Sequence, residues 1–568
     1  MWSRHRLEWV TAVLAAALGA CYLLLPRMGS DLAAQTARAS FFAGHGWTPI
    51  DLRWYAGVDQ LGYSFVSQPV MAILGVRLTG ALSLVLSSVL LAALFRRTGA
   101  PRLWLGALVG TACIAFNLVS GRVTYGLGVA LGLAALLLLT YPRLRWLAAV
   151  AAFAASATSP VAGLFLGLAG VSLLIPRPGR GPLAAAPGQD APAPSHDAPA
   201  PSQDEPAPAR NAPAPDTGHP SWHKSGFIRN GLLIAVPAAI PLGLTAFLFG
   251  DGGWMNISSN DVLRAVVASL AVAVLVPRWP VRAGALLSAA GVLGASLIHT
   301  PVGLNATRLA VMFTLPLIAG YAAVPALPSW RLARWSGRAL PVWAVLPLVA
   351  VLFWWQPPVE VADVRDIGNP TADPSYFAPL LARLGQERLT GRVEVPPTQD
   401  YWEAAYMGNV PLARGWLRQA DIERNPLFFT DIPGARGTGV ALTADSYRAW
   451  LAERAVQFVA VPDAKLHWSG RPEAQLIATG LPYLTPVWSD EHWRLYAVAD
   501  PQPIVPAPAT MVAQTAAGIT FDAPAAADLT LRVHYYRWLT ASGGASVRPR
   551  GEWTLVHVPA AGRYTLSS

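Results

Sequence analysis

Nine apolar runs long enough to cross a bilayer fall at about 8–26, 79–95, 103–119, 123–140, 227–249, 261–276, 281–299, 308–325 and 339–356. A hydrocarbon core about 30 Å thick takes roughly 20 apolar helical residues to cross. Inside lipid, a helix is the form in which one segment satisfies all of its own backbone hydrogen bonds. The chain therefore reads as a polytopic α-helical membrane protein. Its composition agrees: of 568 residues, 53% are hydrophobic and only 13% charged.

The stretch 146–175 is too long for one span, and Thr158-Ser159-Pro160 interrupts it. Charge parity decides how it counts. Read as two short helices turning at Ser159-Pro160, it places every basic connection on one side. These are Arg4 and Arg6; Arg96, Arg97 and Arg102; Arg143 and Arg145; Arg177 and Arg180; Lys224 and Arg229; Arg278 and Arg282; and Arg331, Arg334 and Arg338. The positive-inside bias makes that side cytoplasmic. The expectation is eleven helices in the plasma membrane, with the N-terminus inside and the C-terminal region outside.

A net charge of +10 would suggest nucleic acid in a soluble protein. Here the basic residues lie mainly between apolar runs, so they read as topology signals, and no nucleic-acid partner is expected. Only Lys224 and Lys465 are lysines, and with the heavy Ala, Pro and Gly usage this bias suggests a GC-rich bacterial genome. Cys21 and Cys113 both lie in apolar runs, which leaves no disulfide framework and no thiol metal site. Leu18-Gly19-Ala20-Cys21 resembles a lipoprotein cleavage box. The apolar run continues through Tyr22-Leu23-Leu24-Leu25, however, so an uncleaved first helix is the reading adopted.

By these signals residues 1–176 hold helices one to six with a long first outer loop at 27–68, and 227–356 hold helices seven to eleven. Residues 177–226 are Pro/Ala-rich, cannot bury a core and read as a disordered cytoplasmic linker. Residues 357–500 read as an extracytoplasmic α/β domain, with strands at 392–395 and 456–461 and a helix at 444–454. Residues 501–568 alternate as strands at 529–535, 553–558 and 563–566, a β-sandwich-like end.

The first outer loop carries Asp31, Gln35, Arg38, His45, Asp51, Arg53, Tyr55 and Asp59. Asp31 opens an amphipathic segment running to Arg38. It could simply cap that helix, or it could act as a base for a polar acceptor brought to the membrane boundary. Arginines on the outer side run against the topology bias and so carry more information. Arg122 and Arg308 are two, with Arg27, Arg53 and Arg77 near the same interface. Guanidinium groups grip phosphate oxygens bidentately, so such a cluster suits a phosphate-bearing substrate. Arg53, His45 and Asp51, with Asn305 beside Arg308, complete the expected substrate-binding set. No Gly-rich phosphate loop, His-Glu-x-x-His or Gly-x-Ser-x-Gly occurs, and the ten histidines show no metal-ligand spacing. Of the tryptophans beyond 400, including Trp416 and Trp468, most should pack in a core while some could stack on sugar rings.

Gly29-Ser30-Asp31-Leu32, Ser120-Gly121-Arg122 and the turn at Ser159-Pro160, within this layout over 1–356, resemble the GT-C superfamily of integral membrane glycosyltransferases. The arabinofuranosyl- and mannosyltransferases of actinobacterial envelopes are the comparison. The resemblance implies a site open to the outside and a polyprenyl-phosphate sugar as donor. It implies a cell-envelope glycan or lipid as acceptor, Asp31 as catalytic base, and room for a divalent cation. Many members carry paired acidic residues in this loop, whereas Asp31 is flanked by Ser30 and Leu32. Two rival readings are a multi-pass transporter of major-facilitator type and a non-catalytic envelope assembly protein. Against the transporter stand the odd helix count, the lack of an internal repeat and the lack of charge pairs within spans.

The charge pattern makes a direct prediction. Cysteine labels or reporter fusions placed after residues 200 and 400 should report opposite sides of the membrane. The same side for both would overturn the two-helix reading of 146–175.

Overall fold

The structure is a computed structural model that describes residues 5–177, 222–325 and 337–568. Arg4, Arg180, Arg331, Arg334 and nearly all of the Pro/Ala-rich segment lie outside the described residues, as does the side chain of Lys224. The helical part comprises α1 (Arg6–Leu24), α2 (Leu32–His45), α3 (Ser67–Leu74), α4 (Val76–Arg97), α5 (Leu103–Val119), α6 (Val123–Leu138), α7 (Leu147–Thr158), α8 (Pro160–Leu174), α9 (Trp222–Leu248), α10 (Ser259–Leu275), α11 (Trp279–Leu297), α12 (Arg308–Tyr321) and a final apolar helix, α13 (Val342–Trp355).

Among the described residues, five helical stretches are long and apolar enough to cross a membrane: Arg6–Leu24, Val76–Arg97, Ile228–Leu248, Trp279–Leu297 and Gly303–Tyr321. The apolar helices α5, α6, α7, α8 and α13 are shorter, at 10–17 residues. At a rise of 1.5 Å per residue such helices reach at most about 25 Å, less than a typical hydrocarbon core. Length and composition thus mark five candidate spans, and the count of eleven rests on hydropathy and charge parity. The stretch 146–175 does divide. Ser159 is extended, its Oγ accepts from the Ala162 amide at 3.3 Å, and Pro160 begins α8. Proline in a first helical turn has no amide bond to lose.

Small residues set how closely the helices approach, as expected where lipid offers no hydrophobic drive for helices to pair. A Cβ on Gly170 of α8 would lie 2.7 Å from the Ala235 amide nitrogen of α9, and one on Gly231 would lie 2.8 Å from Gly170 O. Ser156 of α7 donates to Ala238 O of α9 at 2.6 Å. At the bundle end expected to be cytoplasmic, arginines are spent on free helix carbonyls. Arg102 donates to Ala319, Leu340 and Ala322 O, Arg97 to Thr140 O, and Arg278 to Thr98 O. Cations at helix C-termini meet both the orphan acceptors and the negative end of the dipole.

Beyond α13 the chain is rich in sheet. Strands β3 (Arg392–Glu394), β4 (Val456–Pro462), β5 (Leu484–Ser489) and β6 (Trp493–Val498) form one sheet in the order β3-β4-β6-β5, with only β3 and β4 parallel. Two further sheets follow. One is ordered β10-β13-β8-β7 and the other β11-β12-β9, from β7 (Thr510–Gln514), β8 (Gly518–Ala523), β9 (Ala527–His534), β10 (Thr540–Ala541), β11 (Ser546–Arg550), β12 (Trp553–Val558) and β13 (Gly562–Ser567). Leu531, Val556, Phe521 and Leu566 share the core between them. The first pair of short strands, β1 (Ile50–Asp51) and β2 (Val58–Asp59), belongs to the loop after α2.

Inside the first C-terminal sheet domain Arg414 is almost fully buried among carboxylates. Its guanidinium lies 2.9 Å from Asp421, 3.1 Å from Glu473 and 3.8 Å from Glu394, and it stacks on Phe428. Burial pushes the Glu394 carboxyl well above its usual range and Glu473 to about 7. Removing the one cation would leave buried acids without their partner. Arg414→Met should therefore cost about 3–5 kcal/mol of stability, read from denaturant unfolding of the purified protein. A variant as stable as the parent would show that the cluster is neutral in the folded state.

Candidate functional site

The site begins with two glycine turns that nest together. Gly29, just past α1, and Gly121, just before α6, have φ of +99° and +73°, conformations favoured by glycine. A Cβ on Gly29 would lie 2.4 Å from the Ser120 carbonyl carbon, and one on Gly121 would lie 2.5 Å from the Leu32 amide nitrogen. The amide of Asp31 donates to Ser120 O at 3.3 Å across this contact. The two segments Gly29-Ser30-Asp31-Leu32 and Ser120-Gly121-Arg122 thus lie directly against each other.

Asp31 stands at the start of α2, but its side chain makes no capping hydrogen bond. It turns instead to the arginines. Arg308 Nη2 donates to Asp31 Oδ2 at 2.9 Å, and Arg122 Nε lies 3.7 Å from the same oxygen. The simple capping role is therefore corrected: the carboxylate is drawn away from the amides of α2 by two guanidinium groups. Arg122 precedes α6 and Arg308 opens α12 after a 3₁₀ turn, Gly303–Thr307. The positive ends of these two helix dipoles add to the field around Asp31. Asp31 Oδ1 accepts no hydrogen bond among the described residues.

The carboxylates beside Asp31 come from the far end of the helical part. Asp363 and Glu360 lie just after α13, in and before the short helix Val361–Arg365. Asp363 Oδ1 accepts from the Ser30 amide at 3.0 Å, and Glu360 Oε2 lies 3.6 Å from Arg122 Nη2. Burial raises the Asp363 carboxyl above its ordinary range. The acids missing next to Asp31 in sequence are thus supplied in space.

These groups line a cavity of about 770 Å³. Val161, Leu164, Leu242 and Phe249 of α8, α9 and the turn after α9 give it an apolar side. On the loop side Arg38 is fully buried, with its guanidinium 4.1 Å from the Tyr63 ring centre and Nη1 donating to Gln60 at 3.1 Å. From the C-terminal region come Trp416, Arg418, His467 and Trp468. Trp416 Nε1 donates to Ser30 O at 2.8 Å, and Arg418 Nη2 donates to His467 Nε2 at 3.1 Å. Burial, then the nearby Arg418, holds His467 well below the usual imidazole range, so it is neutral at pH 7. Several buried guanidinium nitrogens have no hydrogen-bond partner: Arg38 Nε and Nη2, Arg122 Nε and Arg418 Nε. Unpaired buried donors of this kind are costly.

Asp31, Arg122, Arg308 and Asn305 of the expected site residues line this cavity. Asn305 donates to Met255 Sδ at 3.3 Å. His45, Asp51 and Arg53 do not line it. His45 ends α2 and packs on Phe41, 5.0 Å between ring centres. Asp51 and Arg53 pair with each other at 2.6 Å, and Arg53 also donates to Ala37 O. The Asp51–Arg53 pair thus holds the loop rather than facing the cavity. Among the described residues, no group of three or more His, Cys, Asp or Glu could hold a metal ion. The carboxylates near Asp31 face arginines and the Ser30 amide rather than one another, so the residues do not fit a divalent cation there.

Sequence reasoning assigned no role to Arg38, Asp59, Tyr63, Glu360, Asp363, Arg418 or His467. For Asp363 a signal existed: it is an acid shortly beyond the last apolar run, as Asp31 is beyond the first. For Arg418 and His467, in a region where charged residues are common, none did.

No family model and no curated protein matches the chain. Among solved structures the chain is similar to three cryo-EM structures of arabinofuranosyltransferase AftD from Mycobacteria, two of them of a point mutant. Identities are 17%, 16% and 15%, with TM-scores of 0.43, 0.41 and 0.42. The alignments cover 87% of this chain and 40%, 42% and 41% of those chains. The chain therefore spans less than half the length of those proteins, and likeness at this level says nothing of the chemistry of its cavity.

One wall residue gives the site a pH signature. Asp59 Oδ1 accepts from the amides of Leu61 and Gly62 at 2.9 and 3.1 Å. Burial, then the neighbouring Asp251, nevertheless raises its carboxyl from 3.8 to about 8. Between those values the folded protein keeps a proton that the unfolded chain has released. Stability from this group is complete at low pH and falls as pH rises to about 8. Asp59→Asn should flatten that slope, so that its melting temperature exceeds that of the parent at pH 8 but not at pH 4. An unchanged slope would assign the dependence to another group.

Proposed function

We propose that the protein is a membrane glycosyltransferase. In this reading it moves a sugar from a polyprenyl-phosphate donor to a cell-envelope glycan or lipid acceptor at the outer face of the membrane. The observation that carries the proposal is the carboxylate of Asp31, held by Arg308 and beside Arg122 on a cavity that Arg38 and Arg418 also line.

The chemistry follows from the groups present. An acceptor hydroxyl attacks the anomeric carbon, the bond from that carbon to the phosphate oxygen breaks, and polyprenyl phosphate leaves with the electron pair. The hydroxyl proton passes to Asp31 Oδ1, the oxygen without a hydrogen bond. Charge on the phosphate is greatest as it leaves, and Arg122, Arg308 and Arg38 would meet it with fixed donors. The apolar side formed by α8 and α9 suits the first isoprene units of the lipid. Trp416 and Trp468, at the other side, suit a sugar ring.

Asp31→Asn separates the readings cleanly, since it keeps the shape and removes the base. Transfer from a labelled polyprenyl-phosphate sugar by the purified protein should fall about 10²–10⁴-fold. Arg308→Ala should lower transfer as well, because both the phosphate and Asp31 lose a partner. Turnover by Asp31→Asn equal to that of the parent would remove Asp31 from catalysis. An inactive parent with every donor tried would return the weight to a transporter or an assembly protein.

A further inference from the structure

A second cavity, of about 980 Å³, opens where the last two sheets meet α9 and the helix Arg418–Arg424. It shares Asp59, Ala246, Gly250, Asp251 and Gly252 with the first, so the two are separated by a thin partition. Asp251 is the centre of that partition. It accepts from the Asp59 amide at 3.0 Å, from the Tyr536 hydroxyl at 2.6 Å and from Arg424 at 3.4 Å.

Two ion pairs lie within the wall of the second cavity. Arg424 answers Asp251, and Arg454 Nη1 lies 3.0 Å from Glu552 Oε2. His534 stands 3.2 Å from the same carboxylate, and burial pushes its imidazole down to about 4, so it is neutral at pH 7. An ionic ligand would have to compete with these pairs, whereas a ligand of neutral hydroxyl groups finds donors and acceptors side by side. Tyr535 adds an apolar face. It is half-buried, and among the described residues its ring has no aromatic partner and its hydroxyl no hydrogen bond. Arg454 Nε is likewise buried without a partner. Offset stacking on an aromatic ring, next to paired carboxylate and guanidinium groups, suits the alternating apolar faces and hydroxyl edges of a sugar chain.

We propose that this second cavity binds a neutral glycan chain. Resting on the glycosyltransferase reading, it would hold the part of the acceptor remote from the hydroxyl that reacts beside Asp31. The binding claim itself needs no donor and no turnover.

The test uses the full chain in detergent or nanodiscs, titrated with linear mannohexaose and arabinohexaose in the absence of donor and followed by calorimetry. Saturable binding of at least one is expected. Tyr535→Ala should weaken it about three- to tenfold, and Tyr535→Phe should restore it. Glu552→Gln should weaken it too, with each variant checked by its melting curve. Arg563→Ala, at a residue that lines neither cavity, should bind as the parent does. Absence of saturable binding, or equal affinity in Tyr535→Ala and Glu552→Gln, would overturn the proposal. So would loss of binding in a stably folded Arg563→Ala, which would put the glycan on the outer face of the last sheets. Binding that follows this pattern in a protein inactive with all donors supports the glycan site and counts against the transferase reading alone.

Discussion

The structure depends on one loop whose backbone is answered from outside the helical bundle. The residues between α2 and α3 form almost no regular structure of their own, yet 50–61 are all buried. Buried backbone groups must find partners, and here the C-terminal region supplies them. Leu412 N donates to Arg53 O at 2.7 Å, Leu52 N to Ala516 O at 2.7 Å, and His534 N to Ala56 O at 2.9 Å. Arg424 donates to the carbonyls of Tyr55 and Gly57, and Trp54 Nε1 to Ala404 O. The local pair Asp51–Arg53 stiffens the loop from within. Tyr55 and Ala56 sit at φ of 51° and 62°, an uncommon conformation that these long-range bonds hold in place. The sheets thus fix the loop, and the loop forms one wall of the first cavity.

Within that frame Asp31 and its arginines are mutually dependent. A buried carboxylate is tolerable only when paired, and losing one member of such a pair leaves the other charge exposed to a poor solvent. Arg308 therefore has two tasks in the proposed chemistry: it neutralises Asp31 at rest, and it offers its remaining donors to an anion in the cavity. Binding a phosphate would draw Arg308 and Arg122 partly away from Asp31.

What could be read in the sequence follows the cost of charge. In a membrane chain a charged residue beyond an apolar run is expensive and rare, so Asp31, Arg122 and Arg308 stood out, with Asn305 beside one of them. The break at Ser159-Pro160 was legible because proline has no amide to continue a helix. Strands β4, β9, β12 and β13 alternate or run apolar as buried strands do. By contrast β7 and β11 are mostly exposed, which erases the period that betrays a strand. Arg418 and His467 lie where charge is cheap, and only the folding of the sheets onto the loop brings them to the cavity. His45, Asp51 and Arg53 misled for the same reason. Sequence places them near the membrane boundary, but a nearby ring or a partner two residues away absorbs them.

The partition at Asp251 joins these themes. Its acceptor sits in the turn after α9, while its donors come from the first loop, the helix Arg418–Arg424 and the turn after β9. Four separate parts of the chain therefore meet at one carboxylate, and both cavities use it as a wall. No single element can shift there without breaking a bond to a buried charge, and a buried charge left unpaired is costly. The C-terminal sheets are for this reason a structural part of the membrane site and not an appendage to it. Their position sets the partition between the cavity that holds Asp31 and the one beneath the last sheets.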